Sequence, residues 1–328
     1  MKIRLGTEHY LGLFLLALLL VLLVFAPGFF NLNNTMSMLN RFSYLLIAAI
    51  GMTMIIITSN IDVSAGNLIS VVCLFIAAIG KFGFGLWLLL PAAMAMGALL
   101  SLINALFITT FRIPAIVATL ATAQLFSGVL PLVTEGSIYD LPRSFTWLAF
   151  EAKLFGFIPC SVLIMLIITV IALFFMKYSR FSKRIYAVGN NEEAARLSGI
   201  NVKKVIIITY MIAGALFGVS GTIIATASQR VTTTMGSGLE MIFIAATVLG
   251  GTSVAGGSGK LLGTVFGAAV LSIIAPAINY LKISSDWSDA IMGAIIIFAV
   301  VISALRLEKR KLLKPALSGR DTQTGVSV

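Results

Sequence analysis

Residues 10–26 read YLGLFLLALLLVLLVFA, an unbroken run without a charge or an amide side chain. A helix of about twenty such residues crosses the hydrocarbon core of a bilayer, and a surface helix of a soluble protein would show a polar face that this one lacks. Lys2 and Arg4 precede the run, as they would in a secretory signal peptide. The run is long, however, ends at Pro27-Gly28, and has no small-x-small cleavage site, so it is read as an uncleaved first span.

Working outward, the same pattern recurs along the chain. Of 328 residues, 59% are hydrophobic and only 11% charged, and the mean hydropathy is +1.06. No soluble core could bury that much apolar surface and keep a polar exterior. Backbone groups within a bilayer must be hydrogen-bonded inside helices, so the expected class is an all-α, polytopic helical membrane protein. Ten spans are expected, at roughly 9–26, 42–58, 64–80, 85–109, 114–133, 157–176, 205–227, 240–256, 261–281 and 288–305. The third and eighth are short and rich in Gly or Ser.

With an even number of spans both termini share a side. That side holds seventeen of the 23 Lys and Arg, the other six, a bias that places both termini in the cytoplasm. The expected organisation is a transmembrane domain over residues 1–305, a cytoplasmic loop at 178–204 within it, and a basic cytoplasmic tail at 306–328 resting on membrane lipid. The formal charge of +11 would suggest nucleic acid in a soluble domain. Here no basic face alternates with exposed aromatics, and that function is excluded.

Enzymatic chemistry finds little to work with. The lone His9 supports no Ser-His-Asp arrangement, and Cys73 and Cys160, in or beside apolar runs, make neither a disulfide framework nor a metal site. Asp62 and Glu240 are assigned to opposite sides of the membrane. The stretch VAGGSGKLL, 254–262, approaches a phosphate-binding loop but has Val254 where that loop needs Gly and Leu261 where it needs Ser or Thr. No cofactor is expected on this chain, and its glycines are read as a sharp turn between spans eight and nine.

Two polar stretches stand out. At 189–204, GNNEEAARLSGINVKK offers Asn190 or Asn191 as a helix cap, Glu192 and Glu193 in the first turn where the helix dipole favours negative charge, and Gly199 as a left-handed stop. Ala194, Ala195, Arg196 and Leu197 complete a helix so short that it is marginal in water unless packed against something. At 58–67, TSNIDVSAGN sets Asp62 close to membrane depth. An ionisable residue there marks either a functional site, with Asn60, Ser64 and Asn67 satisfying a broken helix around a polar pathway, or a tight turn capped by Asp62. Asn104 and Gln124, inside spans four and five, either line such a path or bond neighbouring helices. Gly259, Gly263 and Gly267, like Gly214 and Gly218, recur at every fourth residue and are read as close helix packing within one subunit.

NIDVSAG (60–66), GNNEEAARLSGI (189–200) and GSGLEMIFIAATVLGGTSVAGGSG (236–259), with RIPAIVATL (112–120), together resemble, in order and spacing, the permease subunit of bacterial ABC importers of the ribose, xylose, galactose and autoinducer-2 class. The resemblance covers about Phe42 to Leu305. It departs at Ser59-Asn60, where many such permeases carry two glycines, and at Asn67, where Ser is common. It implies a bacterial inner-membrane protein working as a pair, with a second copy or a similar permease. A periplasmic sugar-binding protein would deliver solute, and a cytoplasmic ATP-binding subunit dimer, holding ATP and Mg, would drive transport. Asn190 to Gly199 would then be the coupling helix, and the loop 134–156 would meet the binding protein. The rival readings are an ion-coupled secondary transporter, for which Asp62 is the one good acidic candidate, and an ABC permease for branched-chain amino acids.

Overall fold

The computed structural model describes residues 7–26, 28–80, 82, 86–134, 139–140, 153–154, 158–228 and 230–282, with scattered positions between 287 and 297. Most of the expected tenth span at 288–305, the tail 306–328 and most of the loop 134–156 lie outside the described residues.

The helices are α1 Thr7–Phe25, α2 Leu32–Ile57, α3 Ala65–Gly80, α4 Leu86–Thr110, α5 Ala115–Thr134, α6 Cys160–Tyr178, α7 Arg180–Asn190, α8 Glu192–Leu197, α9 Val202–Ser228, α10 Leu239–Leu249 and α11 Leu261–Tyr280. Among the described residues seven of them are long and apolar enough to span a bilayer. Two short antiparallel ladders complete the structure: β1 Tyr139–Asp140 pairs with β4 Arg230–Val231, and β2 Lys153–Leu154 with β3 Ile158–Pro159. The chain is a polytopic helical membrane protein.

α2 and α9 form the centre. Leu45 to Ile57 of α2 are almost wholly removed from the surface, as are Tyr210, Phe217 and Ile223 of α9. Small residues make this possible. A Cβ on Gly97 of α4 would run into the Gly214 carbonyl, and one on Gly218 into that of Ala93, so α4 and α9 touch backbone to backbone. Gly263 and Gly267 of α11 meet Gly250 and Ala246 in the same way. The glycine periodicities therefore serve packing within one chain. Where α2, α10 and α11 meet, the Thr53 hydroxyl lies 2.8 Å from that of Thr264 and 3.3 Å from that of Thr247.

α1 runs beside α11 in the same direction. Lys260 Nζ binds Glu8 Oε1 at 2.7 Å at their starts, and Leu22, Ala26, Phe29, Met38, Ile273 and Ala277 cluster toward their ends.

Three expectations change. α2 begins at Leu32, ten residues before the apolar run at 42, because the Asn31 side chain caps it by accepting from the Asn34 amide at 2.9 Å. The polar turns 32–41, with Arg41, are thus part of the helix. α3 and α10, of 16 and 11 residues, rise only about 24 and 16 Å at ~1.5 Å per residue and cannot cross a bilayer of ~30 Å alone. α10 stops at Leu249, not 256, since Gly251, Gly256 and Gly257 all turn through positive φ. Finally, Glu240 is not across the membrane from Asp62. Because residues 233–238 form turns that lead into the short α10, the Glu240 carboxylate sits against Gly66, four residues beyond Asp62.

Candidate functional site

The segment 178–204 folds as two helices and a hinge. α7, which hydropathy does not reveal, is amphipathic: Ser182, Ile185, Val188 and Gly189 are buried while Arg180, Lys183 and Arg184 face outward. Asn191, extended at φ −163° and ψ 108°, ends α7 and begins α8, its side chain accepting from the Ala194 amide at 2.9 Å. Asn190 is the last residue of α7, so the cap falls to Asn191. Glu192 and Glu193 occupy the first turn, and Arg196 reaches back to Glu192 at 2.9 Å. Ile200 N–H donates to Ala195 O and Gly199 N–H to Arg196 O, both at 3.0 Å, with Gly199 at φ +80°. That pair of bonds around a left-handed glycine is a Schellman stop. On α8 only Ala195 is buried, and Leu197 stands 81% exposed. Leu197 thus stands exposed among the ion-pairing groups of a two-turn, doubly capped knob.

α7 ties the knob to the core. Gly189 fits so closely against the end of α2 that a Cβ there would collide with the Ile57 carbonyl. That carbonyl accepts from Gly257 N at 2.9 Å. Ser59, held at φ +64°, places its hydroxyl 2.9 Å from Gly189 O and 3.0 Å from Ala255 O. Tyr186 Oη donates to Gly259 O at 2.9 Å, and burial raises its phenol above the ordinary range, which keeps that proton in place. The end of α2, the hinge beside α8 and the glycine turn 255–259 thus form one junction. Ser59 stands out in the sequence only as a departure from glycine and Tyr186 not at all, since their partners lie far along the chain.

Beyond the junction the chain turns into α3. Asn60 Nδ2 donates to the Thr58 carbonyl at 3.0 Å. Asp62 is fully buried, and its Oδ1 accepts from Ser64 N at 2.9 Å and Ser64 Oγ at 2.6 Å, while Oδ2 has no partner. Asn104 Nδ2 reaches Ser64 Oγ at 2.7 Å. Asn67 bonds the Ala123 carbonyl of α5 at 3.2 Å. Asp62, Ser64 and Asn104 therefore meet in one closed polar cluster, whose unpartnered atoms include Asn104 Oδ1 as well as Asp62 Oδ2. Gln124 is not part of it and stands on the exposed face of α5. Thr119, which sequence reasoning passed over, accepts from Val63 N at 3.2 Å, stapling the turn to α5, while its hydroxyl lies 2.8 Å from the Ala115 carbonyl of its own helix and 3.2 Å from that of Ile61.

A broken helix pair around buried polar groups is a feature that membrane transporters share. Residues 34–300 match the family described as branched-chain amino acid transport system / permease component, and the chain belongs to that family. It is 35% identical to the ribose import permease protein RbsC of Escherichia coli K12 over 88% of this chain and 91% of that one. It is likewise 35% identical to the autoinducer 2 import system permease protein LsrC of Yersinia enterocolitica, over 88% of this chain and 79% of the relative. The inner membrane ABC transporter permease protein YjfF of E. coli K12 is 34% identical over 89% of each chain. No solved structure matches. This is a multi-pass inner-membrane protein.

Proposed function

We propose that this chain is the membrane-spanning subunit of an ATP-driven importer for a monosaccharide or sugar-like small polar solute such as ribose or autoinducer-2. The observation that carries the reading is likeness along nearly the whole chain to import permeases for both solutes. In this reading both termini and α8 face the cytoplasm. The exposed side of α8, from Asn191 to Leu197, docks in a cytoplasmic ATP-binding subunit, which holds ATP and Mg as one of a dimer. A second copy, or a similar permease, completes the pore. A periplasmic binding protein presents solute near the loop 134–156.

Closure of the ATP-binding dimer displaces α8 as a rigid body. Because Gly189 is wedged on Ile57 and Ser59 bridges to Ala255, that displacement reaches α2 and the turn before α11, not only α6 and α9, which flank the α7–α8 pair. α2 continues into the turn that holds Asp62 and Ser64, so the polar cluster moves with it.

The family description favours one second reading, import of branched-chain amino acids. Proteoliposomes carrying the chain, its ATP-binding subunit and the binding protein separate the two: ATP-dependent uptake of ribose supports the proposal, and uptake of leucine in its place supports the second. Uptake by the chain alone under an ion gradient overturns both.

A further inference from the structure

The extension of α2 by residues 32–41 creates a feature that the hydropathy of the chain hides. Asn34, Ser37, Arg41 and Tyr44 recur at helical spacing, and with Asn40 they line one side of an open cavity of about 530 Å³ that Ala227 of α9 and Pro276 and Tyr280 of α11 border opposite. A second cavity of about 620 Å³ adjoins it, sharing Asn34 and Ser37.

Arg41 is the unusual member. It lies roughly 14 Å along the axis from the first residue of α2. Its Nε is buried without a hydrogen-bond partner, and no carboxylate pairs with it among the described residues. Arg41 is half-buried at the polar end of a membrane-spanning helix, and an ionisable residue there with a buried, unpartnered nitrogen marks a candidate solute pathway. Its neighbours are already occupied in ways that fix the wall. Asn34 Nδ2 binds the Phe29 carbonyl at 2.6 Å, Ser37 Oγ the Asn33 carbonyl at 3.0 Å, and Ser161 Oγ binds Asn40 Oδ1. The wall is therefore rigid and the arginine is the part with donors to spare.

We propose that this cavity is a solute-receiving subsite on the outer half of the permease, in which Arg41 donates hydrogen bonds to the hydroxyl or carbonyl oxygens of a neutral polyol. Among the described residues that line the cavity no second cation accompanies it, which argues against an anionic solute, for which paired basic groups would be expected. A lone donor fork among uncharged amides and hydroxyls holds a polyol weakly, as a site that must release its cargo requires. This inference rests on the reading of the chain as an importer.

The test uses the assembled transporter in proteoliposomes with ribose as the probe, in a Cys160→Ser background. Arg41→Gln is expected to leave assembly and basal ATP hydrolysis unchanged and to lower ribose uptake about tenfold or more, with Arg41→Lys less affected because it keeps a charged donor. Ser37→Cys is expected to react with a membrane-impermeant thiol reagent several-fold more slowly with ribose-loaded than with ribose-free binding protein. Normal uptake by Arg41→Gln, or equal labelling of Ser37→Cys in the two conditions, overturns the subsite. If the unmutated complex shows no ATP-driven ribose uptake, the importer reading itself has failed.

Discussion

The Ser59 hydroxyl lies 2.9 Å from the carbonyl oxygen of Gly189, a contact between residues 130 apart in the chain. Ser59 is one of three non-glycine residues at positive φ among the described residues, a conformation that costs a side chain about 1–2 kcal/mol. Its hydrogen bonds to Gly189 and Ala255 offset that strain, so this chain holds with a side chain a position suited to glycine.

The junction predicts an order of effects. Gly189→Ala must push α7 away from Ile57 while leaving the exposed side of α8 intact. Assembly with the ATP-binding subunit should persist, and solute moved per ATP should fall about tenfold, the size that 1–2 kcal/mol of lost coupling gives. Ser59→Gly keeps the left-handed turn and loses only the hydroxyl, so its effect should be smaller. Parallel measurement of hydrolysis and uptake decides it; an unchanged ratio in Gly189→Ala refutes the mechanical role.

Charge reversal on α8 tests docking. Glu193→Lys with Arg196→Glu should abolish co-purification of the ATP-binding subunit, as should Leu197→Ser to a lesser degree. The pairs within α8 are exposed, and such pairs contribute no more than about 0.5 kcal/mol. A loss of association would therefore not reflect an unfolded permease, and circular dichroism of the purified variant should be unchanged. Association at the unmutated level removes the docking assignment.

These two regions differ in how far they could be read from sequence. The cap, the first-turn acids and the glycine stop of α8 are local, each within five residues of its partner, and all are legible in GNNEEAARLSG. The same holds for the nine apolar segments that became α1–α6 and α9–α11. Hydropathy failed where polar residues are helical, at 32–41 of α2, and where apolar residues are not, after Leu249, because it scores transfer to lipid and not hydrogen bonding. Asp62 and its neighbour Ser64 were recognisable as unusual, but the bond from Asn104 to Ser64, and the placing of Glu240 beside Gly66, depend on how half-length helices meet. Gln124 shows the converse: a polar residue within an apolar span need not join the polar cluster.

Thr119→Val measures the staple between the 58–64 turn and α5. Valine matches threonine in shape but leaves Val63 N–H without its acceptor and takes away the hydroxyl within reach of the Ile61 carbonyl. Unsatisfied buried groups cost about 1–3 kcal/mol each. Thermal unfolding in detergent should therefore show a midpoint several degrees lower, and an unchanged midpoint would show that water serves both groups equally well.

Asp62 separates the two roles considered for it when Asn and Ala variants are compared. Its Oδ1 alone accepts both bonds from Ser64, and the Oδ1 of Asn in Asp62→Asn can accept the same two. The new Nδ2 replaces an oxygen that has no partner. The turn should survive, and the complex should assemble with unmutated stability. If the carboxylate itself serves the pathway, uptake by Asp62→Asn should nevertheless fall about tenfold or more, since an interaction made by charge at low dielectric is lost with the charge. Asp62→Ala should lose uptake and stability together, because the Ser64 amide and hydroxyl are left without an acceptor. Normal uptake by Asp62→Asn, with only Asp62→Ala impaired, would reduce Asp62 to the cap of the turn before α3.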